Sequence, residues 1–583
     1  MQRARLGILG LLGLSTGLMA CPFASNGLGT PFGNAGGSGG AGLATTSSSQ
    51  ASTGGSGPAT MVCTPGATQP CYDGLVGTTD AGAPCSAGKE TCEQNGLGWG
   101  ACLDAVMPAA DNCASGNNLH CDNPPRTCTG TLAGGVTAGE PGTDQGLSVA
   151  VDLNSNAIVG GFFHDTVDFG GGNKLSVPGM PTNPDPGSDG FVAKITPAGT
   201  TVWAQDFGGM GDDQVNAVAV DPSGNVFVVG SYASSVAFAP GPAAKGPGMF
   251  LVKLGPTGTF AWGQTYPGGT IVPEALAVAP DGHLAVAGYF SGTCAFSPPP
   301  AMPLKAKGGS DGFVLEVDQA GTLAWIKQVS DSGGNPQSEV LYGVTIDPGN
   351  AVVVTGAGAG TVDFGNGAGV AVPGNGKGLA LAKYAGSTGA LAWEYLLGNG
   401  TDSAAGYAIA VDVGGNLYVT GAFQGALTLG TVNLVGPSGV SSSFVAQFGP
   451  SGMAGWSTAF APPSGGSGSS QGYGLAVDTY SVVMAGEFSG QLATASGMLT
   501  SLGSTDALVA KLNLTRGEVL WTQQLGGSGG NDAAISVALD PTPQDPLGKS
   551  VVTGYFSGPI SLGGTTPFTS QGSDDIFVAR LAP

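Results

Sequence analysis

Aspartate is the side chain with the widest chemical options in this chain, because it recurs at two points of a repeated pattern. Asp189, Asp311, Asp506 and Asp574 precede apolar runs, and Asp144, Asp212, Asp402 and Asp532 lie in Gly-rich joining segments. Gly-Asp loops supply the oxygens that a hard cation needs, which makes calcium one reading. Aspartate also caps turns through its own carboxylate without any metal, and that plainer reading takes precedence. Nucleophile and base motifs are missing: His120, His164 and His283 stand isolated, and neither Gly-x-Ser-x-Gly nor His-Glu-x-x-His occurs. A carboxylate pair for glycoside cleavage can still assemble from separate copies of the pattern. The expectation at this level is a chain that is not an enzyme and needs no cofactor.

Cysteine is the second reactive type. Eight of the ten crowd together: Cys63, Cys71, Cys85, Cys92, Cys102, Cys113, Cys121 and Cys128. An even set in an exported chain predicts a disulfide framework, since so small a segment lacks a sufficient core. Zinc is the competing reading, but structural zinc sites use ligands about two to four residues apart and no pair here is that close. The pairing itself stays open. Cys294 stands apart and reads as a small buried apolar residue. Cys21 ends the run Leu-Met-Ala-Cys, after Arg3, Arg5 and an apolar stretch at 6–14, the layout of a signal peptide. That run resembles a bacterial lipobox, which makes Cys21 the expected lipidated first residue of the mature chain. Ordinary secretion with an incidental cysteine is the alternative.

The elements that must position the aspartates come from one repeated sentence. Its clearest copy runs Ala217-Val-Ala-Val-Asp-Pro-Ser-Gly-Asn-Val-Phe-Val-Val-Gly230, followed by Met249-Phe-Leu-Val-Lys-Leu254 and a strand holding Trp262. The matching turn positions are Asp152, Asp221, Ala279, Asp347, Asp412, Asp478 and Asp540, a period of about 65 residues that marks an array of supersecondary units. Short β-branched runs punctuated by Gly, Pro, Asn and Asp are strands, and four per period predict a propeller blade. The last copy stops before its Trp strand, while residues 128–136 form a spare strand ahead of the first copy. One missing and one spare strand predict a closed ring of seven blades, which leaves no exposed edge. Tight turns should gather on one face. The long second-to-third connections and interblade loops should share the other, the candidate binding face.

These residues resemble the bacterial β-propeller repeat family SBBP, over roughly residues 129–583. The resemblance implies a secreted or surface-attached protein and, by itself, no chemistry. The segment Cys63-Thr-Pro-Gly-Ala-Thr-Gln-Pro-Cys-Tyr72 with Trp99-Gly-Ala-Cys102 resembles a cysteine-rich module of bacterial surface proteins. Asn, Leu and His120 replace several carboxylates of that module's acidic stretch, so no metal is assigned there.

The expected order is a signal peptide at 1–20, a Gly/Ser-rich tether at 21–60, a disulfide-rich module at 61–128 and an all-β, seven-bladed propeller at 129–583. A flexible tether of forty residues reaches roughly 35 Å, enough to hold a domain clear of a membrane. Removing Arg3 and Arg5 leaves 15 of the 17 basic residues against 39 acidic ones. Such a surface disfavours nucleic acid. The composition and motifs together predict a lipid-anchored monomer at the outer membrane or cell surface, acting as a binding scaffold for protein or glycan. The alternative is a hydrolase or lyase of extracellular polysaccharide. The recurring Lys and Trp positions are read as ion pairs and packing.

Overall fold

The computed structural model describes residues 64, 67–71, 88–92 and 130–583, except 178–186, 239–240, 242, 297–302, 334–336, 373–375, 400–401, 464, 496, 541–548 and 564–565. The signal segment, Cys21, the tether and most of the cysteine module lie outside the described residues. Within that module Thr68–Cys71 pairs antiparallel with Gly88–Thr91, and Cys92 is buried and disulfide-bonded.

Seven antiparallel blade sheets follow one another among the described residues, five of them four-stranded and two extended to five and six strands by a hairpin. Blade 1 runs Gln145–Val151, Ala157–His164, Ser188–Ile195 and Thr201–Phe207 from inside to outside. Blades 2 to 6 repeat that order. The first strand of each blade lies against the first strand of the next, and that of blade 7, Asp532–Leu539, returns to that of blade 1. Leu132–Ala138 pairs with Asp575–Leu581 and supplies the outer strand of blade 7. The ring is therefore closed as the repeat phase predicts, with the spare strand a few residues later than expected. Gly130 and Pro583 meet where other blades have their outer turn, and the Gly130 N–H donates to the Pro583 carbonyl at 3.4 Å.

Aliphatic side chains on both faces of each blade fill the spaces between neighbours, as a sheet covered on both sides requires. The Trp positions finish the same job at the rim. Trp203 Nε1 donates to the Pro256 carbonyl, Trp262 to Gln319, Trp393 to Pro450 and Trp456 to Leu514, each in the next blade's outer turn. The indole rests on that turn's glycine, such as Gly258 at φ 84° or Gly321 at φ 81°. At the 7–1 junction, Gly134 stands opposite Arg580, where Trp203 stands opposite Lys194. The same junction holds a cleft of about 430 Å³ lined by Val136, Gly139, Phe169 and Asp575.

The second-to-third connections are not plain loops. Thr166–Asp168 with Lys174–Ser176 and Ser235–Ala237 with Ala243–Lys245 form small hairpins, and each remaining blade carries its counterpart. Two of the recurring Lys positions are ion-paired on the tight-turn face, Lys194 to Asp152 at 2.8 Å and Lys383 to Asp347 at 2.6 Å, while Lys253 lies 5.0 Å over the Phe227 ring. Cys294 is buried, with its thiol pushed up to about 11 by burial, in keeping with an inert core residue.

Candidate functional site at the axial mouth

Every first strand carries a β-bulge at the same place, opposite the recurring glycine of the second strand. The extra residues are Leu147, Asn216, Glu274, Tyr342, Tyr407, Tyr473 and Ile535. A bulge re-aims a side chain, and here it turns one residue per blade toward the axis. Blades that are not neighbours can meet only there, and Tyr407 of blade 5 packs with a cluster that joins Leu147, Tyr473 and Ile535 of blades 1, 6 and 7.

Three of these residues form an aromatic arc. The Tyr342 and Tyr407 rings lie 5.2 Å apart edge to face, and Tyr407 and Tyr473 lie 6.0 Å apart. Tyr473 donates to Glu487 Oε1 at 2.8 Å, and Gln471 Nε2 donates to the same oxygen at 3.4 Å. At the neighbouring 7–1 junction, Gln145 Nε2 donates to Asp574 Oδ2 at 2.9 Å. Tyr555 lies within the field of both carboxylates: burial, then Glu487, Asp574 and Asp532, raise its phenol above the usual range. Burial also raises Glu487 and Asp574. The mouth thus combines buried and half-buried phenols, amides and two carboxyls whose acidity burial weakens. That set can stack on a ring and exchange hydrogen bonds with hydroxyls.

The predicted aspartates fall outside this arc, at the junctions between blades. The third-strand start of one blade faces the first-strand start of the next. Asp575 meets Asp144, Asp189 meets Asp213, Asp311 meets Glu339, and Asp506 meets Asp532. Register corrects two of the expected positions: Asp212 and Asp574 sit one residue before Asp213 and Asp575, and successive strand residues point to opposite faces. Asp574 thereby joins the axial mouth instead. Asp402 precedes its register position and bonds to the Asn399 amide at 2.8 Å. Several of the carboxylates cap backbone amides: Asp144 accepts from Glu140 and His164, Asp506 from Leu502 and Gly503, and Asp532 from Gly527 and Ser557.

Burial drives these paired acids upward, Asp144, Asp189 and Asp532 to about 7 and Asp213 and Glu339 to about 8, with neighbouring acids adding to it and backbone amides offsetting part. An unfolded carboxyl titrates near pH 4. Between that value and 7 to 8 the native ring holds more protons than the unfolded chain, so stability falls as pH rises through the window. In chelator-treated buffer we expect a melting temperature several degrees higher at pH 5.5 than at pH 8, by roughly 2–4 °C for each kcal/mol. Identical melting at the two pH values would show that these acids do not titrate there.

Among the described residues no group of three or more His, Cys, Asp or Glu side chains is arranged to hold a metal. No helix among them is long and apolar enough to cross a membrane.

Residues 202–231 match the β-propeller repeat family SBBP. An uncharacterized WD repeat-containing protein of Acanthamoeba polyphaga mimivirus is 24% identical over 290 residues, covering 44% of this chain and 21% of that protein. The chain thus spans about a fifth of that relative's length. Among solved structures, the quinohemoprotein alcohol dehydrogenase of Comamonas testosteroni is 11% identical, with a TM-score of 0.33 over 75% of this chain and 76% of that one. A gluconolactonase of Xanthomonas campestris is 12% identical, with a TM-score of 0.26 over 78% and 99%. An apocarotenoid oxygenase mutant of Synechocystis is 11% identical, with a TM-score of 0.34 over 69% and 92%. At such identities the likeness concerns fold. These solved structures are nevertheless enzymes, which corrects the expectation that the chain is no enzyme. Side chains that meet at an axis come from distant parts of the sequence, so the lack of a local motif does not exclude catalysis. What stands is a seven-bladed β-propeller with a WD-repeat relative, built on a repeat of SBBP type.

Proposed function

We propose that this propeller binds glycan at the axial mouth of its loop face and is presented from a membrane surface by a lipid anchor at Cys21, across the Gly/Ser-rich tether and the disulfide-rich module. The observation that carries the reading is the Tyr342–Tyr407–Tyr473 arc next to the Glu487 carboxyl. Tyrosine offers a flat apolar ring with a polar tip, the combination that packs on a sugar face and bonds to its hydroxyls. The six tryptophans of the outer strands are spent on blade junctions and are not the stacking surface. A second reading, cleavage of extracellular polysaccharide, is favoured by Glu487 and Asp574 both acting on Tyr555, two carboxyls at one mouth.

The test is a glycan array on the purified chain, followed by titration of the best hit. Tyr407→Ala removes the middle ring of the arc while leaving the bulge in place. We expect a weakening of about tenfold or more, corresponding to roughly 1.4 kcal/mol or more. Wild-type affinity in Tyr407→Ala would move the site away from the axis. Turnover of the bound glycan that is lost in both Glu487→Gln and Asp574→Asn would favour the cleavage reading.

A further inference from the structure

The junction between blades 1 and 2 differs from the other acidic junctions. Asp189 and Asp213 are both fully buried. Neither Oδ1 nor Oδ2 of Asp189 has a hydrogen-bond partner, and Asp213 Oδ2 has none either. Only the Gly209 N–H approaches the pair, short of a full hydrogen bond to these three oxygens; they are withdrawn from water with too few donors, a costly arrangement for charged groups. The electrostatic surroundings make it worse. Asp206 acts on Asp189, while Asp189 and Asp212 act on Asp213, and no basic side chain is among the groups that oppose them. At two other junctions a single oxygen is orphaned, Glu339 Oε1 and Asp575 Oδ1, and relief is at hand: Lys307 acts on Glu339, His164 on Asp144, and Gln524 donates to Asp506.

The main chain closes in on the same spot. A Cβ at Gly208 would lie 2.1 Å from Asp189 Oδ1, so only glycine lets the backbone lie this close to the carboxylate. The Ser188 N–H donates to Asp212 Oδ1 at 3.3 Å, which ties the two strand starts together. We propose that a calcium ion occupies this blade 1–blade 2 junction, bound by the orphaned oxygens of Asp189 and Asp213, with backbone carbonyls and water completing its shell. Two carboxylates neutralise one divalent cation, and calcium accepts the irregular oxygen sets that a loop junction offers. The ion ties the third strand of one blade to the first strand of the next, at the point where no side chain does so.

Calcium chloride titrated into the chelator-treated full chain at pH 8, read by thermal melting and by calorimetry, tests this. Wild type should bind calcium and melt several degrees higher with it. Asp189→Asn with Asp213→Asn keeps the shapes and removes the charges. That variant should melt at or above the calcium-free wild type, because a buried repulsion is gone, and should lose the calcium response. Asp506→Asn, at a junction whose oxygens are already satisfied, should keep it. A wild type indifferent to calcium overturns the proposal and leaves the pair sharing a proton. An undiminished response in the double variant overturns it too, placing the ion elsewhere.

Discussion

A chain that begins at Gly139, without Leu132–Ala138, is expected to lose its cooperative melting transition or to melt more than 10 °C below the full ring. The deletion uncovers the edge of Asp575–Leu581, whose apolar side chains are buried under the closing strand. It also removes Val136 from Gly199 of blade 1 and Gly130 from Trp521 of blade 6. Six ladder positions and two junction contacts go at once, and a bare edge pairs readily with another copy. Size-exclusion chromatography should show dimers or larger species. Adding a peptide of residues 130–139 should restore part of the transition. Wild-type melting of the truncated chain would mean that the ring does not depend on this strand.

The second large effect is expected at the recurring glycine of the second strand. In blade 4 a Cβ on Gly356 would stand 2.0 Å from the Val340 carbonyl oxygen and 2.9 Å from the Leu341 Cα. Both obstacles are backbone, held by the ladder with Val352–Ala359, so no side-chain rotation relieves them. Gly356→Ala should therefore destabilise by about 3 kcal/mol or more, at the upper end of overpacking costs. Gly449→Ala is the control: the nearest heavy atom to its Cβ is 3.8 Å away, and a change within roughly 0.5 kcal/mol is expected. Denaturant unfolding of the two variants decides the matter. Equal stabilities would mean that the bulge, and with it the aim of Tyr342, can relax.

That glycine also shows how far the sequence could be read. Its recurrence near the end of each second strand is plain in the primary structure, together with the turn aspartates and the outer tryptophans. Those residues act once per blade, so their physics repeats with the period. The ring of seven and its closing strand follow from them. The bulge does not, because it shows only as a change of register. Without it, Asp212 and Asp213 are interchangeable in a string, and so are Asp574 and Asp575, although each pair points in opposite directions. The axial residues leave no periodic trace either: the bulge position holds Leu147, Asn216, Glu274, Tyr342, Tyr407, Tyr473 and Ile535, seven side chains of five kinds. Counting back from the second-strand glycine of each copy would have found them. The hairpins of the long connections escape for a related reason, since outside blade 6 their strands are two to four residues long and sit in segments of unequal length.

The meeting of Gly130 with Pro583 has a mechanical consequence. The closing strand starts on the tight-turn face and runs toward the loop face, antiparallel to its partner. A ring held through its N-terminal segment and pulled by something seated at the axial mouth is loaded along that strand. The rungs between Leu132–Ala138 and Asp575–Leu581 then share the force in shear and do not open one after another like a zipper. The seam that looks weakest, for want of a tryptophan, is the one best oriented to bear load.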